Sequence, residues 1–386
     1  MKRYMTVFLA LTLIFSCVSV VNASAINEVT PEEIQIAVSD YVEDWVQDTY
    51  SNHYDMSDFE VSFFSTTISS NQYETYGTVS YSASLAYDTV DDMPLVKGAQ
   101  DILGITSMES TLKSKSLEST SLDLSTVQTY GLNYQINDYF TELQSYIATP
   151  TIDTLFFKAV GSLTSTPIEI QLFFEQAEEG YISAENFAAL SDTELFDKGQ
   201  DIAETMVAKS EEIGRKVSAR GYSEYLRTLA KDYALRFSNN PTTNCHDNTL
   251  LLSNGDGCDY DSWNESYYPY QSGFCHDDCA DFVSQAIHSG ELPSEFTEDG
   301  WYRSGSDFST AWVSVSHLIP WLTNKGYAEE CTRDECTAGN IMLTSSSHVV
   351  MVTYNDGEKV KFTGHTNDRR DVVISDSKAL TYYLIK

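Results

Sequence analysis

Hydrophobic positions recur at helical spacing in several stretches of the chain, and each of these stretches predicts a helix. Residues 31–48 carry an apolar stripe behind a proline that suits a first helical turn. Residues 222–238 carry the most regular stripe, which Asn239-Asn240-Pro241 ends. A short helix is predicted at 95–103. The charged segment 176–220 is interpreted as a connecting helical hairpin that is broken at its glycines.

Apolar and polar residues alternate in other stretches, which predicts strands with one buried face. The predicted strands are 59–63, 73–87, 130–136, 154–160 and 168–174. The Ser/Thr-rich stretch 106–126 is predicted to be a loop or an edge segment. One helix beside long, tyrosine-rich strands predicts a curved antiparallel sheet wrapped on a helix, in a cystatin-like or a nuclear-transport-factor-like (NTF2-like) arrangement. His53 is predicted to be an ordinary surface histidine.

These patterns predict an α+β protein with four parts. The parts are a signal peptide at 1–25, an N-terminal α+β domain at 26–175, a helical linker at 176–220 and a C-terminal domain at 221–386. The signal prediction rests on two basic residues, an apolar run at 7–15 and an A-x-A cleavage site that ends at Ala25. The apolar run is too short to span a membrane. The sequence therefore predicts a secreted, extracytoplasmic protein, cleaved after Ala25 and without stable membrane insertion.

Charge and cysteine content narrow the class of protein further. The formal net charge of −34 argues against nucleic-acid binding, and the acidity is interpreted as a source of solubility. Export permits disulfides. The short loop between Cys331 and Cys336 predicts one bridge, and Cys245–Cys258 is the next candidate.

The stretch 277–290 predicts a short helix with a cysteine in its first turn. Asp277 or Asp278 can cap its start, and Gly290 can end it in the left-handed conformation. A thiol at this place sees the positive end of the helix dipole, which favours the thiolate. Cys279 is therefore either a small core residue or a nucleophile.

Two histidines near the end of the chain decide between these interpretations. Strands are predicted on both sides of an Asp-Gly turn at residues 356–357. A tight turn there places His348 opposite His365 on one face of the hairpin, with Cβ atoms about 4.5–5.5 Å apart. Asn367 lies two residues further along that face. A single bulge would break this alignment.

A thiol at a helix start together with imidazoles on a hairpin is the set that a cysteine hydrolase needs. The hypothesis assigns the nucleophile to Cys279 and the base, later the acid, to His348. It assigns the group that orients His348 to His365, with Asn367 as the substitute. The backbone N–H of Cys279 is the natural oxyanion donor. Such a mechanism requires no cofactor and no metal.

Residues 278–286, which read D-C-A-D-F-V-S-Q-A and precede Gly290, resemble the D-C-x-N-F-V-S-Q-A…G segment of the bacterial putative amidase domain family. Residues 348–352 (HVVMV) and 364–369 (GHTNDR) resemble its two later motifs. The resemblance covers about 221–386. It implies a papain-like fold related to the NlpC/P60 cysteine peptidases, with the cysteine-bearing helix packed on an antiparallel sheet.

Two departures from the family pattern leave the substrate groove open. Asp281 stands where the family usually has Asn, and the loop 241–276 is longer and contains cysteines. The resemblance implies hydrolysis of an amide or peptide bond, with peptide derived from peptidoglycan as a candidate substrate. Two alternatives remain: a binding module that keeps the fold without turnover, and a zinc hydrolase built from Cys275, His276 and Cys279 with distant histidines.

Overall fold

A computed structural model describes residues 29–386 except 116, 118–121, 165–166, 177–179, 188, 220–224, 241–263, 265, 268–277, 366–367 and 375–379. The described part has a mixed α+β fold, as predicted. Its α-helices are α1 (Pro31–Tyr50), α2 (Pro94–Leu103), α3 (Met108–Ser114), α4 (Thr126–Ala148), α5 (Asp192–Ala219), α6 (Arg227–Arg236), α7 (Cys279–Ser289), α8 (Thr310–Val313) and α9 (Val315–Asn324).

The strands of the described part belong to one large sheet and one small ribbon. The large sheet contains β1 (Tyr54–Ser69), β2 (Gln72–Leu85), β3 (Thr151–Ser162), β4 (Gln171–Glu175), β5 (Tyr181–Ser183), β8 (Ala328–Cys331), β9 (Ile341–Ser345), β10 (His348–Asn355), β11 (Val360–Gly364), β12 (Arg369–Ile374) and β13 (Thr381–Ile385). The ribbon pairs β6 (Arg303–Ser304) with β7 (Asp307–Phe308). No helix among the described residues has the length and apolarity needed to cross a membrane.

The first part of the sheet is an antiparallel meander from β1 to β5 that packs on α1. Thr30 caps α1 by accepting from the backbone N–H of Glu33, whose carboxylate accepts from the N–H of Thr30 in return. A stripe of buried side chains then faces the sheet: Ile34, Val38, Val42 and Val46. The predicted helix beside long antiparallel strands is confirmed. The cystatin-like or nuclear-transport-factor-like assignment stays a prediction.

The strand prediction for 130–136 is wrong, because these residues lie inside α4. Alternation over seven residues predicts a strand, but the buried positions Leu132, Ile136, Phe140 and Leu143 follow helical spacing over a longer window. Ser125 and Gln128 form a capping box at the start of α4. The predicted loop at 106–126 likewise contains a helix, α3.

The segment predicted as a helical linker contains α5, and the predicted breaks at Gly199 and Gly214 are wrong because the helix is continuous through both. These glycines allow backbones to touch. A Cβ at Gly199 would lie 1.8 Å from the carbonyl oxygen of Leu95 on α2, and a Cβ at Gly214 would lie 2.0 Å from that of Val127 on α4. Helix α5 therefore packs closely on the other helices of the N-terminal part. The domain boundaries themselves stay a prediction.

A single large sheet joins the N-terminal and C-terminal parts of the chain. Its main strand order is β1-β2-β3-β12-β11-β10-β9-β13-β8. The junction is a parallel contact between β3 and β12 at Thr154 and Val372. The hairpin β10–β11 follows directly after β12 in this order, so the strands that carry the predicted histidines are continuous with the N-terminal sheet.

Candidate active site

Helix α7 places the predicted nucleophile at its first position. Every residue from Cys279 to Ile287 is buried, so the helix is packed on all sides. Asp278 occupies the N-cap position, but its carboxylate makes no capping bond to the helix within the described residues. Gly290 ends the helix with φ −74°, not in the predicted left-handed conformation. A glycine is needed there because a Cβ would lie 2.4 Å from the Tyr225 ring.

The structure brings Cys279 next to the start of β10. The Sγ atom of Cys279 lies 3.8 Å from the carbonyl oxygen of Ser347, the residue that precedes His348. The contact agrees with the packing of α7 against β10. Cys279 is 7% exposed, and His348 is half-buried at the first position of its strand. Two of the predicted site residues thus belong to adjoining elements, although they are distant in sequence.

The predicted register of the hairpin is wrong by one residue. Met351 pairs with Thr363 and Val352 with Phe362, whereas the tight turn would have placed Met351 opposite Phe362. A bulge lies between Val352 and Tyr354, and the turn is wider because the Asp356 carboxylate accepts from two backbone N–H groups. Each extra residue changes the pairing partner of every residue beyond it along the hairpin. His348 and His365 are consequently not opposite each other.

His365 instead connects three elements around the start of α7. Its Nδ1 lies 2.9 Å from an oxygen of Asp278, and its Nε2 lies 2.6 Å from the carbonyl oxygen of Phe237 at the end of α6. Its ring stacks on Phe282 of α7, with 3.9 Å between ring centres. Neither of these nitrogen contacts goes to His348. His365, which the sequence predicts to orient His348, therefore bonds to Asp278, the residue that precedes Cys279.

The environment of His365 favours the doubly protonated imidazolium. Burial by itself would lower the pKa of His365, but the charge of Asp278 and the hydrogen bond to it outweigh burial and raise the pKa from 6.5 to about 9. A carbonyl oxygen can only accept, so the Nε2 atom donates to Phe237. Near neutral pH, His365 is therefore a buried cation that is paired with the N-cap residue of α7.

A buried ion pair holds the next turn of α7. One guanidinium nitrogen of Arg303 lies 2.5 and 2.6 Å from the two carboxylate oxygens of Asp281, and Nε1 of Trp312 donates to the same carboxylate at 2.6 Å. Burial raises the pKa of Asp281, and Arg303 opposes that rise. The resembling family usually has Asn at this position. Here a carboxylate is accommodated because Arg303 supplies the opposite charge.

Other side chains of the segment 278–286 bond helix α7 to its neighbours. Ser284 donates to the carbonyl oxygen of Trp312 at 2.8 Å and accepts from Nε1 of Trp301 at 3.0 Å. Tyr233 of α6 donates to the side-chain oxygen of Gln285 at 2.6 Å. Trp301 is fully buried, so it is a core residue. These side chains maintain the position of the helix that carries Cys279.

The predicted disulfide between Cys331 and Cys336 is not formed, and both are free thiols. Burial, together with a hydrogen bond to the neighbouring Cys331 thiol, raises the pKa of Cys336 well above its usual value. Cys331 is fixed by strand pairing with Tyr382, while Asn355 holds the backbone of Cys336. The two thiols therefore contact each other without a covalent bond.

Several predicted residues lie outside the described residues. These are Asn367, the predicted substitute for His365, the zinc candidates Cys275 and His276, and Cys245 and Cys258 of the second predicted disulfide. Within the part of the chain that the structure describes, no group of three or more His, Cys, Asp or Glu side chains has an arrangement that could hold a metal ion.

Comparison with known proteins supports the family resemblance. Residues 224–385 match the family model described as a putative amidase domain, which is less than half of the chain. No curated protein and no solved structure matches the chain at a significant level. The relation to NlpC/P60 peptidases and the papain-like fold stay predictions. The stretch from α6 to β13, with Cys279, His348 and His365 in it, is accordingly an amidase-like region.

Proposed function

We propose that the protein is a cysteine-dependent amidase that hydrolyses an amide or peptide bond, with Cys279 as the nucleophile. The observation that carries the proposal is the position of the Cys279 sulfur, at the start of a buried helix and 3.8 Å from the residue that precedes His348. A thiol in the first turn of a helix and an imidazole on an adjoining strand are the groups that this chemistry uses. The match of 224–385 to an amidase family supports an amide substrate.

In the proposed mechanism, His348 takes the proton of the Cys279 thiol as the thiolate attacks the carbonyl carbon of the substrate. The C–N bond then breaks, and the protonated His348 gives its proton to the leaving amine. Water, deprotonated by His348, hydrolyses the resulting thioester, which releases the acid and restores the thiol. The backbone N–H groups of a first helical turn have no acceptor inside the helix. We therefore assign the Cys279 N–H to the developing oxyanion.

We assign His365 a positioning role. Through Asp278 and Phe237 it ties the start of α7 to β11 and to the end of α6. This fixes the residue next to the nucleophile. Asn367 stays the candidate for orienting His348 itself. The predicted export signal at 1–25 would place the enzyme outside the cytoplasm. Peptide derived from the cell wall is therefore the substrate class that we propose to test first.

The central test compares Cys279→Ala with Cys331→Ser, which changes a thiol at the end of β8, in an assay of amine release from peptide amides and cell-wall peptides. We expect Cys279→Ala to lose activity by roughly a thousandfold or more and Cys331→Ser to keep it. A Cys279→Ala protein that still cleaves the substrate would overturn the proposal.

Labelling separates the enzyme from the alternative of a binding module without turnover. We expect iodoacetamide to label Cys279 faster than an ordinary thiol near neutral pH, because an activated cysteine has thiolate character. The site of labelling can be read by mass spectrometry of peptides from the folded protein. Labelling of Cys279 at the rate of an ordinary thiol, together with absent turnover, would favour the binding module.

A further inference from the structure

Two lysines buried in the amidase-like region share one carboxylate that lies outside it. Lys359 and Lys361, at the turn end of the β10–β11 hairpin, are 1% and 0% exposed. Their ammonium groups lie 2.8 and 2.5 Å from the two oxygens of Asp153, which is in β3. Burial would raise the pKa of Asp153, but the two lysines outweigh it and lower the pKa to about 2. Asp153 is therefore a buried anion held between two buried cations.

A second carboxylate of the N-terminal part pairs with the first residue of β12. Arg369 is 0% exposed and donates from Nε and Nη2 to the two oxygens of Glu175, at 2.9 and 2.8 Å. This is the bidentate geometry that gives the strongest pairs between Arg and a carboxylate. Arg369 is also the strand partner of Gly364, the residue that precedes His365. The pair thus supports the backbone at the end of β11 that leads into His365, which we call the site end of the hairpin.

At the turn itself the carboxylates come from the amidase-like region and their partners from the N-terminal part. Glu358 lies 2.8 Å from Nδ1 of His53, and Asp356 accepts from the hydroxyl of Tyr54 at 2.6 Å. Hydrophobic packing also crosses the junction, because Phe156 of β3 belongs to the same buried cluster as Phe362. The two parts therefore complement each other in charge, hydrogen bonding and apolar surface.

Separation of the two parts would leave these groups without their partners. The carboxylates of Asp153 and Glu175 would lose their cations, β12 would become an exposed sheet edge, and the cluster around Phe156 would meet water. A removable inhibitory segment typically covers an active site. The contacts named above instead lie at the turn of the hairpin and along β11 and β12, and none of them is made by Cys279 or His348.

We propose that residues 29–219 are a permanent intramolecular partner of the amidase-like region, held by Asp153 and Glu175, and that the two remain associated when the chain between them is cut. Their role is to complete the sheet and to hold the hairpin that carries His348 and His365. The proposal does not depend on the amidase activity, because it concerns association and stability.

The first experiment cuts the folded, full-length protein at a protease recognition sequence inserted between residues 220 and 224. We expect the two fragments to elute together in gel filtration at low and at high salt, and to unfold in one transition. Salt should have little effect because the pairs are buried. Fragments that separate under native conditions, with the C-terminal fragment still folded, would overturn the proposal.

The second experiment tests whether Asp153 holds the two parts together. Asp153→Asn leaves two buried ammonium groups without their anion, so we expect the melting temperature to fall by roughly 5–10 °C and the cut fragments to dissociate. The triple variant Asp153→Leu/Lys359→Met/Lys361→Met removes all three charges, and we expect it to recover most of the loss.

Glu74→Gln is the matched control, because the pair of Glu74 with Lys158 is partly exposed and lies within the N-terminal part. We expect it to change neither the melting temperature nor the association of the fragments. An Asp153→Asn protein that behaves like Glu74→Gln in both measurements would overturn the role of Asp153. A triple variant that is no more stable than Asp153→Asn would contradict the explanation by unpaired buried charge.

Discussion

A buried histidine contacts each end of the β10–β11 hairpin, His53 at the turn end and His365 at the site end. At the turn end, His53 lies between Glu358 and Asp192, and the hydrogen bond to Glu358 raises the pKa of His53 to about 9, although burial opposes the rise. At the site end, His365 lies between Asp278 and a carbonyl oxygen, and its pKa is also raised to about 9. Each is a buried imidazolium that joins separate elements.

The difference lies in what each histidine is attached to. The partners of His53 belong to the hairpin turn and to the exposed start of α5, so we expect His53 to affect stability only. The partner of His365 is the residue before the proposed nucleophile. A buried histidine with a raised pKa is therefore not by itself evidence of a catalytic site. The element that it fixes decides its role.

The largest effect on stability is expected at the ion pair behind the nucleophile. Asp281→Asn removes the carboxylate charge that pairs with the Arg303 guanidinium, whose side chain is 1% exposed. We expect the free energy of unfolding in urea to fall by about 3–5 kcal/mol. The double variant Asp281→Asn/Arg303→Met should recover most of this loss. An Asp281→Asn protein as stable as the unchanged protein would show that the pair of Asp281 with Arg303 does not stabilise the helix that carries Cys279.

The contrast between the two histidines is tested by His365→Phe and His53→Phe. Phenylalanine keeps an aromatic ring against Phe282 but cannot bond to Asp278. We expect kcat to fall about 100-fold for His365→Phe, because displacement of the nucleophile by about 1 Å has that effect. We expect kcat to stay within about threefold for His53→Phe at a temperature where both variants are folded. Equal losses of kcat would remove the distinction between the two ends.

The raised pKa values predict a pH dependence of stability. A histidine whose pKa is higher in the folded than in the unfolded protein stabilises fully below the unfolded value of 6.5, and this stabilisation is lost as the pH rises through about 9. We expect His365 to contribute roughly 2 kcal/mol less to the free energy of unfolding at pH 8 than at pH 6.

His53 should add a dependence of the same sign, because the hydrogen bond to the buried Glu358 also raises its pKa to about 9. Urea unfolding at several pH values, repeated on His53→Gln to isolate His365, measures both contributions. A free energy of unfolding that does not fall between pH 6 and pH 8 in His53→Gln would contradict the assignment of an imidazolium to His365.

A smaller effect is expected from Gly357→Ala at the turn end. Gly357 has φ +92°, and a Cβ there would lie 2.1 Å from a methyl group of Leu95 on α2. We expect a loss of about 1–2 kcal/mol from the backbone conformation, with a further loss from the displaced Leu95 and with kcat unchanged. Gly305→Ala is the matched control, because Gly305 has φ +61° and open space around it. Equal losses in the two variants would show that the turn is not packed against α2.

Local patterns predicted many of the elements, because a helix or strand is specified by residues near one another in sequence. Helix α1 and the strands β1, β2 and β3 lie where periodicity placed them, and α7 begins within two residues of its predicted start. The error at 130–136 arose where a short alternating run lies within a longer helical pattern. The sequence does not predict the role of Gly199 and Gly214, because only packing brings α2 and α4 against α5 there.

The sequence by itself determined the family resemblance of 221–386 and the helix start that carries Cys279, because both are encoded in short continuous motifs. Tertiary structure alone decided the rest. The partner of His365 depends on the register of a hairpin, which one bulge changes for every residue beyond it. The burial of His53, and the pairing of Asp153 with Lys359, join residues some 200 to 300 positions apart. No local pattern contains such contacts, since they form only when the two parts of the chain complete one sheet.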